Sequence, residues 1–331
     1  MTHTVMNTHD TSSATPVIGR FAPSPSGRMH LGNMFTALIS WLSVRSTGGR
    51  WILRIEDLDP QRSKAEHARM IEDDLQWLGL DWDEGGSDDK GENGPYSQSR
   101  RHDIYSRYLH MLDDTGLTYS CSCTRADIMA TQAPHQSDGR VIYQGTCRPH
   151  DIGTPEAAKR IHTTTLRAAT RLYVPDRDIQ FTDRIFGTHN VNPASNCGDF
   201  VLQRADGAWA YQLAVVVDDA LMGVTEVVRG CDLLLSTAQQ IYLYELLNLP
   251  VPQFAHLPLI CNTSGQRLAK RDLTLNMEQL RRRHTPESLT GLLACMAGII
   301  DRPKPLRATD LIGLFDWNSV PRTPAIQISA D

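Results

Sequence analysis

An α/β fold built on a parallel sheet is what the sequence predicts, and three observations carry that expectation. Val17 to Phe21 has the length and composition of a strand. Leu31, Phe35, Leu38 and Leu42 recur at spacings of four, three and four, one face of a helix, and Gly48-Gly49 ends it. Trp51 to Ile55 is again an apolar run of strand length, closing on Glu56-Asp57. Strand, helix and strand in this order make a βαβ unit with parallel strands. Ligands of such sheets sit beyond the carboxyl ends of the strands, where Arg20 to Ser26 and Glu56 lie.

The other elements follow in order. Ser63-Lys-Ala-Glu66 has the form of a capping box, and Ile71, Leu75 and Leu78 then mark a helix closed by Gly79. Glu84 to Gly94 holds small, charged and turn-forming residues and reads as a surface loop. Ile104, Tyr108 and Leu112 define a helix that Gly116 stops, and Leu117 to Cys121 leads out of it as a strand. From Cys121 to about Asn196 the α/β rhythm breaks, as it does in an inserted module. Phe200 to Arg204 and Ala208 to Val217 read as strands flanking the turn Asp206-Gly207, the pattern of a β-hairpin. Val224 to Val228 reads as a further strand, Leu233 to Asn248 as a helix, and His256 to Cys261 as a return to the sheet. Past Leu273 the pattern is helical, with Thr285-Pro286 as N-cap and first helical residue. The expected organisation is a leader over 1–16, an α/β core over 17–120 and 197–261, an inserted module over 121–196 and a helical region over 262–331.

Composition narrows the class. A chain of 331 residues, 40% hydrophobic and 21% charged, can bury a sizeable core as a soluble globular protein. No apolar run approaches the roughly 20 residues that a membrane span requires. Met1 to Pro16 is rich in Thr, Ser and His without an apolar core, so it reads as a disordered leader rather than a signal peptide. Seven cysteines, an odd number, speak for a reducing compartment, the cytoplasm, rather than a disulfide framework. A net charge of −5 predicts no general affinity for nucleic acid. Any RNA contact is then local. Arg281-Arg-Arg-His284 is the clearest basic cluster, and it reads equally well as a solvated helix face.

The stretch Arg20-Phe-Ala-Pro-Ser-Pro-Ser-Gly-Arg-Met-His-Leu-Gly-Asn33 joins the first strand to the first helix through a Pro/Ser/Gly turn. It places His30, Gly32 and Asn33 at the helix N-terminus, where backbone N–H groups and the helix dipole attract phosphate. Arg267-Leu-Ala-Lys-Arg271 answers it far downstream. Together with Arg54-Ile-Glu-Asp57, Trp209-Ala-Tyr-Gln212 and Val228-Arg-Gly-Cys-Asp232, these motifs resemble a class I glutamyl-tRNA synthetase catalytic core over about Val17 to Ile300. More narrowly they resemble its truncated paralogues, the glutamyl-queuosine tRNA(Asp) synthetases.

The resemblance implies a Rossmann-type catalytic core with an inserted zinc-binding module and a short helical, stem-like C-terminal region that carries the lysine loop. It also implies two ATP-binding signatures, one through His30, Gly32 and Asn33 and one through Arg267, Leu268 and Lys270. His30 would hydrogen-bond ATP phosphate, and Lys270 would neutralise charge growing between the α- and β-phosphates. Asn33 stands where the first signature has its second histidine, and Ala269 and Arg271 where the other has serines. The implied reaction is attack of the glutamate α-carboxylate on the α-phosphate of ATP. It depends on alignment and charge stabilisation, with Mg²⁺ accompanying the nucleotide.

Glutamate carries two carboxylates and one ammonium, so a selective pocket offers cations to the former and an anion to the latter. Arg20, Arg229 and Glu56 supply that complement. The resemblance assigns amino-acid binding to Arg20, Phe21, Ala22, Pro23, Ser24, Glu56, Tyr211 and Arg229.

Cys121-Ser-Cys123 sets two thiols two residues apart, able to hold one face of a zinc ion that later ligands complete. The resembled family binds zinc here through three cysteines and a tyrosine, which fits Cys121, Cys123, Tyr143 and Cys147. His150 is the alternative fourth ligand, and Thr131 to Arg140 reads as a loop insertion. The partners implied are glutamate, ATP and queuosine-bearing tRNA(Asp), with a monomer as the expected state. The rival readings are a glutamyl-tRNA synthetase charging a tRNA 3′ end and a catalytically inactive binding module. Only 60 residues follow Arg271, too few for the anticodon-binding domain of the former, whereas His30, Lys270, Arg20, Glu56 and Arg229 together oppose the latter.

Overall fold

Seven strands form the central sheet of the computed structural model, which describes residues 17–130, 142–157, 168–262 and 275–328. They are β1 (Ile18–Phe21), β2 (Arg50–Leu53), β3 (Glu84–Gly85), β6 (Ile179–Asp183), β7 (Gly187–Val191), β9 (Glu226–Gly230) and β10 (Gln253–Leu257), in the order β3-β2-β1-β9-β10-β6-β7. All pairs are parallel except β6 with β7. The leader 1–16, the expected loop Thr131 to Arg140 and Arg267 to Arg271 lie outside the described residues.

Helix α1 (Leu31–Ser46) connects β1 to β2 as the apolar spacing predicts. The predicted stripe understates its burial. Met34, Ala37, Ile39, Trp41 and Val44 are buried with Phe35, Leu38 and Leu42, because α1 is enclosed between the sheet and the C-terminal helices. Each such large side chain contributes about 1.5–3 kcal/mol of hydrophobic stabilisation. Gly19 permits the closest approach, since a Cβ there would stand 2.6 Å from Val44 Cγ2. One core lies on the face covered by α1, α2 (Ala65–Leu78), α8 (Met277–Arg283) and α9 (Pro286–Met296). A second lies on the face covered by α3 (His102–Asp113), α6 (Tyr211–Leu221) and α7 (Ser236–Leu246). Both faces are thus covered, as a parallel sheet requires.

Several local expectations are corrected. Lys64, not Ser63, precedes α2, and no side chain caps it, whereas Gly79 does close that helix in the left-handed conformation with φ +81°. Glu84 and Gly85 within the expected loop pair with β2 as its edge strand. Gly207 turns the chain at φ +84°, but the hairpin ends after one bridge, Gln203 to Trp209. The run read as its second strand instead enters α6, where Leu213 to Val217 are all buried. A short run of apolar residues carries no periodicity when every side of the element is covered, so strand and buried helix look alike.

The interval 121–196 is not one insertion. β4 (Thr118–Cys121), β5 (Ala169–Leu172) and β8 (Phe200–Gln203) form a separate antiparallel sheet, while β6 and β7 between them return to the central one. The short helices α4 (Arg125–Ala130) and α5 (Pro193–Asn196) lie in sequence between the strands of this small sheet. After Pro258 the chain leaves the central sheet, and β11 (Leu259–Cys261) pairs with β12 (Ala325–Gln327) near the C-terminus. Thr285 caps α9 as expected, accepting from Ser288 N–H, with Pro286 as first helical residue.

Candidate active site

A cavity of about 500 Å³ opens beyond the carboxyl ends of β1 and β9. The chain runs from β1 to β2 on one side and reaches β9 on the other, so the cavity lies where strand connectivity reverses. It gathers every described residue that the sequence singled out for substrate. Arg20, Phe21, Ala22, Pro23 and Ser24 line it from the end of β1, Glu56 from beyond β2, Tyr211 from the start of α6 and Arg229 from β9. His30, Gly32 and Asn33 line its other part. Arg267, Leu268 and Lys270 lie outside the described residues.

The charges on its wall are ordered. Arg20 is buried, with its Nε 3.2 Å from Asp219 Oδ1, and Arg54 donates to the same oxygen at 2.6 Å. Arg54 also donates to Glu56 Oε1 at 3.1 Å. Cations and carboxylates therefore alternate along Arg20, Asp219, Arg54 and Glu56. Burial opposes the charge on Arg54, yet Asp219, Asp218 and Glu56 hold its pKa well above the usual value. Burial pushes the Glu56 carboxyl up against the pull of Arg54 and Arg20. Asp219 is held down by Arg20 and Arg54 in spite of its own burial.

Arg229 differs. It is buried, and its three nitrogens donate to neutral acceptors: Nε to His256 Nε2 at 3.0 Å, one terminal nitrogen to Gln240 Oε1 at 2.7 Å, the other to Thr237 Oγ1 at 2.8 Å. A guanidinium carries five N–H donors, so two remain beyond these three bonds. Burial, aided by the neighbouring charge of Arg20, lowers its pKa against the pull of Tyr211 and Asp219. The wall therefore carries a cation oriented but not neutralised among the described residues, suited to a carboxylate.

The phosphate-binding expectation rests on the N-terminus of α1. His30 stands at the N-cap, no acidic residue occupies the first turn, and Asn33 Oδ1 accepts the His30 backbone N–H at 3.1 Å. Asn33 thus closes the helix start, which gives a physical use to asparagine in place of the second histidine of the signature. A Cβ on Gly32 would come within 3.2 Å of the His30 ring, so glycine leaves the imidazole room over the turn. Arg28 also lines the cavity, held at 3.0 Å by the fully buried side chain of Asp74, which Arg281 contacts at 2.8 Å. The first residue of the basic cluster is thus committed to a buried carboxylate. Arg282 remains exposed, paired with Glu278 along its own helix.

In the small sheet, the sulfurs of Cys121, Cys123 and Cys147 lie within 4.8 Å of one another. Tyr143 turns its Oη toward Cys121 Sγ at 3.4 Å and accepts the Cys147 backbone N–H at 2.7 Å. His150 is exposed and outside this cluster. Burial and the neighbouring thiols push Cys123 up to about 11, whereas hydrogen bonds from Tyr143 and the Ser122 backbone overcome burial and bring Cys147 down to about 7. Three sulfurs this close together could hold one metal ion.

Sequence reasoning missed the residues that hold these groups: Asp219 behind Arg20, and Thr237, Gln240 and His256 behind Arg229. Arg229 and His256 are register partners on adjacent strands, 27 residues apart, a relation with no local signature.

Comparison with known proteins places this geometry. The family model of the catalytic domain of class I tRNA synthetases (E and Q) matches residues 16–318. Glutamyl-Q tRNA(Asp) synthetase of Symbiobacterium thermophilum is 49% identical over 317 residues, 95% of this chain and 96% of that protein. The protein of the same name from Nitratidesulfovibrio vulgaris is 45% identical over 310 residues, 93% of this chain and 94% of its own length. Among solved structures, a glutamate tRNA ligase from Elizabethkingia meningosepticum in complex with its amino acid superposes with TM-score 0.81 at 32% identity, over 96% of this chain and 68% of that one. The chain belongs to the class I tRNA synthetases of the glutamate and glutamine type and, among these, to the glutamyl-Q tRNA(Asp) synthetase family.

Proposed function

We propose that the protein activates glutamate with ATP, without tRNA, and transfers it to queuosine in the anticodon of tRNA(Asp). The observation that carries the first step is Arg229, a buried cation without an ion-pair partner among the described residues, in one cavity with Arg20, Glu56 and Tyr211. Glutamate brings two carboxylates for the arginines and an ammonium for Glu56. Its α-carboxylate oxygen attacks the α-phosphorus of ATP, the bond to the β-phosphate oxygen breaks, and glutamyl-adenylate and pyrophosphate form. The helix N-terminus with His30 receives the phosphates, and Lys270 with Arg267 and Leu268 supplies the second nucleotide contact. Mg²⁺ enters with ATP as substrate. The second step draws on the names of the relatives, at 43–49% identity.

The donor set of Cys121, Cys123, Cys147 and Tyr143 fits a structural zinc, which when bound would cross-link the end of β4 to the segment 142–147. A cytoplasmic monomer completes the reading: none of the seven cysteines forms a disulfide, and one chain supplies every described group that lines the cavity.

The test is glutamate-dependent ATP–pyrophosphate exchange without tRNA, followed by transfer to queuosine-containing tRNA(Asp) beside tRNA(Glu). Exchange with glutamate and transfer to tRNA(Asp) alone is the expected result. Exchange with no amino acid would sink the activation claim. Charging of tRNA(Glu) would replace the acceptor.

A further inference from the structure

Arg229 is oriented by residues that do not line the cavity. Its Nε–H points to His256 Nε2, and the other ring nitrogen of His256 lies 2.7 Å from Asp183 Oδ2. Both residues are buried. Asp183 also receives the backbone N–H groups of Ile185 and Phe186 on one oxygen and that of His256 on the other. Donors thus meet both oxygens, and an ionised carboxylate has no proton to give. The ring hydrogen must then sit on Nδ1, which leaves the Nε2 lone pair facing the guanidinium. The opposite tautomer would set N–H against N–H, and a doubly protonated ring would add a cation beside Arg229. Burial agrees with the neutral ring, pushing His256 down to about 4.

We propose that Asp183 and His256 are positioning residues for carboxylate recognition: Asp183 selects the Nδ1–H tautomer of His256, whose Nε2 lone pair holds Arg229 by its Nε. The arrangement has a second consequence. The Asp183 charge is kept one imidazole ring away, so Arg229 is held in place without being neutralised and keeps its attraction for an incoming anion. Asp183 touching Arg229 directly would hold it as firmly and would compete with the substrate. The inference rests on the reading of the cavity as a glutamate site.

The experiment compares His256→Gln, His256→Asn, Asp183→Asn and the double variant Asp183→Asn with His256→Gln in glutamate-dependent ATP–pyrophosphate exchange, with a thermal midpoint for each. The longer glutamine places an amide oxygen where Nε2 was and accepts from Arg229. Asparagine serves the Asp183 side only. In His256→Asn and Asp183→Asn the KM for glutamate should rise about ten- to a hundredfold, the factor a lost hydrogen bond to a charged group carries, while the KM for ATP stays within about twofold. In His256→Gln it should rise no more than about threefold, and adding Asp183→Asn should raise it no further, because an amide oxygen has no tautomer to select. Equal glutamate KM values for the Gln and Asn variants, or additive effects in the double variant, would overturn the proposal. Should Asp183→Asn fail to fold, the two His256 variants decide the question alone. A wild-type enzyme that exchanges with no amino acid overturns the glutamate reading instead, whereas an active wild type with unchanged variants overturns the positioning alone.

Discussion

Lys270 and His256 show what single residues contribute and how differently they become visible. Lys270 is singled out by its motif, and the role proposed for it, charge stabilisation between phosphates, would concern the transition state more than the fold. Lys270→Ala should lower the exchange rate by about a hundred- to a thousandfold with an unchanged thermal midpoint, in the range of other electrostatic contacts to a transition state. Unaltered exchange kinetics would refute its role. His256 has no motif and carries a pH signature instead. Its pKa is about 4 in the folded chain and about 6.5 in the unfolded one, so between those values only the unfolded chain takes up the proton. Stability from this residue is therefore complete above about pH 6.5 and is lost as the pH falls toward 4. Glu56, Glu226 and Asp74, whose carboxyls are raised by burial, act in the opposite sense, so the comparison must be with a variant. From pH 7 to pH 5 the unfolding free energy of wild type should fall by about 2 kcal/mol relative to His256→Gln, because each tenfold difference in proton affinity is worth about 1.4 kcal/mol. Parallel curves from denaturant titrations would exclude a neutral buried ring.

At the scale of elements, the small sheet is the instructive case. β4, β5 and β8 are three short strands with few large apolar side chains, and the local cluster comprises Tyr119, Cys121 and Tyr143 with a handful of half-buried neighbours. Leu172, Phe200 and Leu202 of these strands join the second core, and a metal held by the three cysteines would add folding energy to the small local cluster. Cys121→Ser with Cys123→Ser should abolish stoichiometric zinc and lower the unfolding midpoint of this region, while glutamate-dependent exchange at the separate cavity persists. Full zinc retention by metal analysis would count against the cluster. The pair Cys121 and Cys123 was visible from spacing. The preference for Tyr143 over His150 was implied by resemblance; Tyr143 bridges to Gly198 with its Oη 3.4 Å from Cys121 Sγ, whereas His150 is exposed.

Across the whole molecule, the cavity draws its wall from four separated stretches, at 20–36, 56, 211 and 228–260. A ligand that contacts all of them stabilises the folded state by mass action. Glutamate at a hundred times its Kd should add about 2.7 kcal/mol and raise the thermal midpoint accordingly. Arg229→Leu should remove that shift, because the leucine offers no donor to a carboxylate. A midpoint in the variant that still rises with glutamate would place the carboxylate elsewhere.

The strand-turn-helix of Arg20 to Asn33, the first βαβ unit and the order of the five motifs were all readable from the chain, because each depends on neighbours within about one element and on side-chain chemistry that survives in one dimension. The resemblance built on them brought Arg20, Glu56, Tyr211 and Arg229 together before any distance was known. What needed the tertiary structure were relations between distant segments. The return of β6 and β7 to the central sheet, the helix in place of a hairpin strand at Tyr211–Leu221, and the line Asp183–His256–Arg229 depend on which strands become neighbours and in what register. Strand pairing is decided by burial over the entire sheet, and a register shift of one residue would turn every side chain to the other face. His256 thus became meaningful only when β10 was laid beside β9 with its ring opposite Arg229.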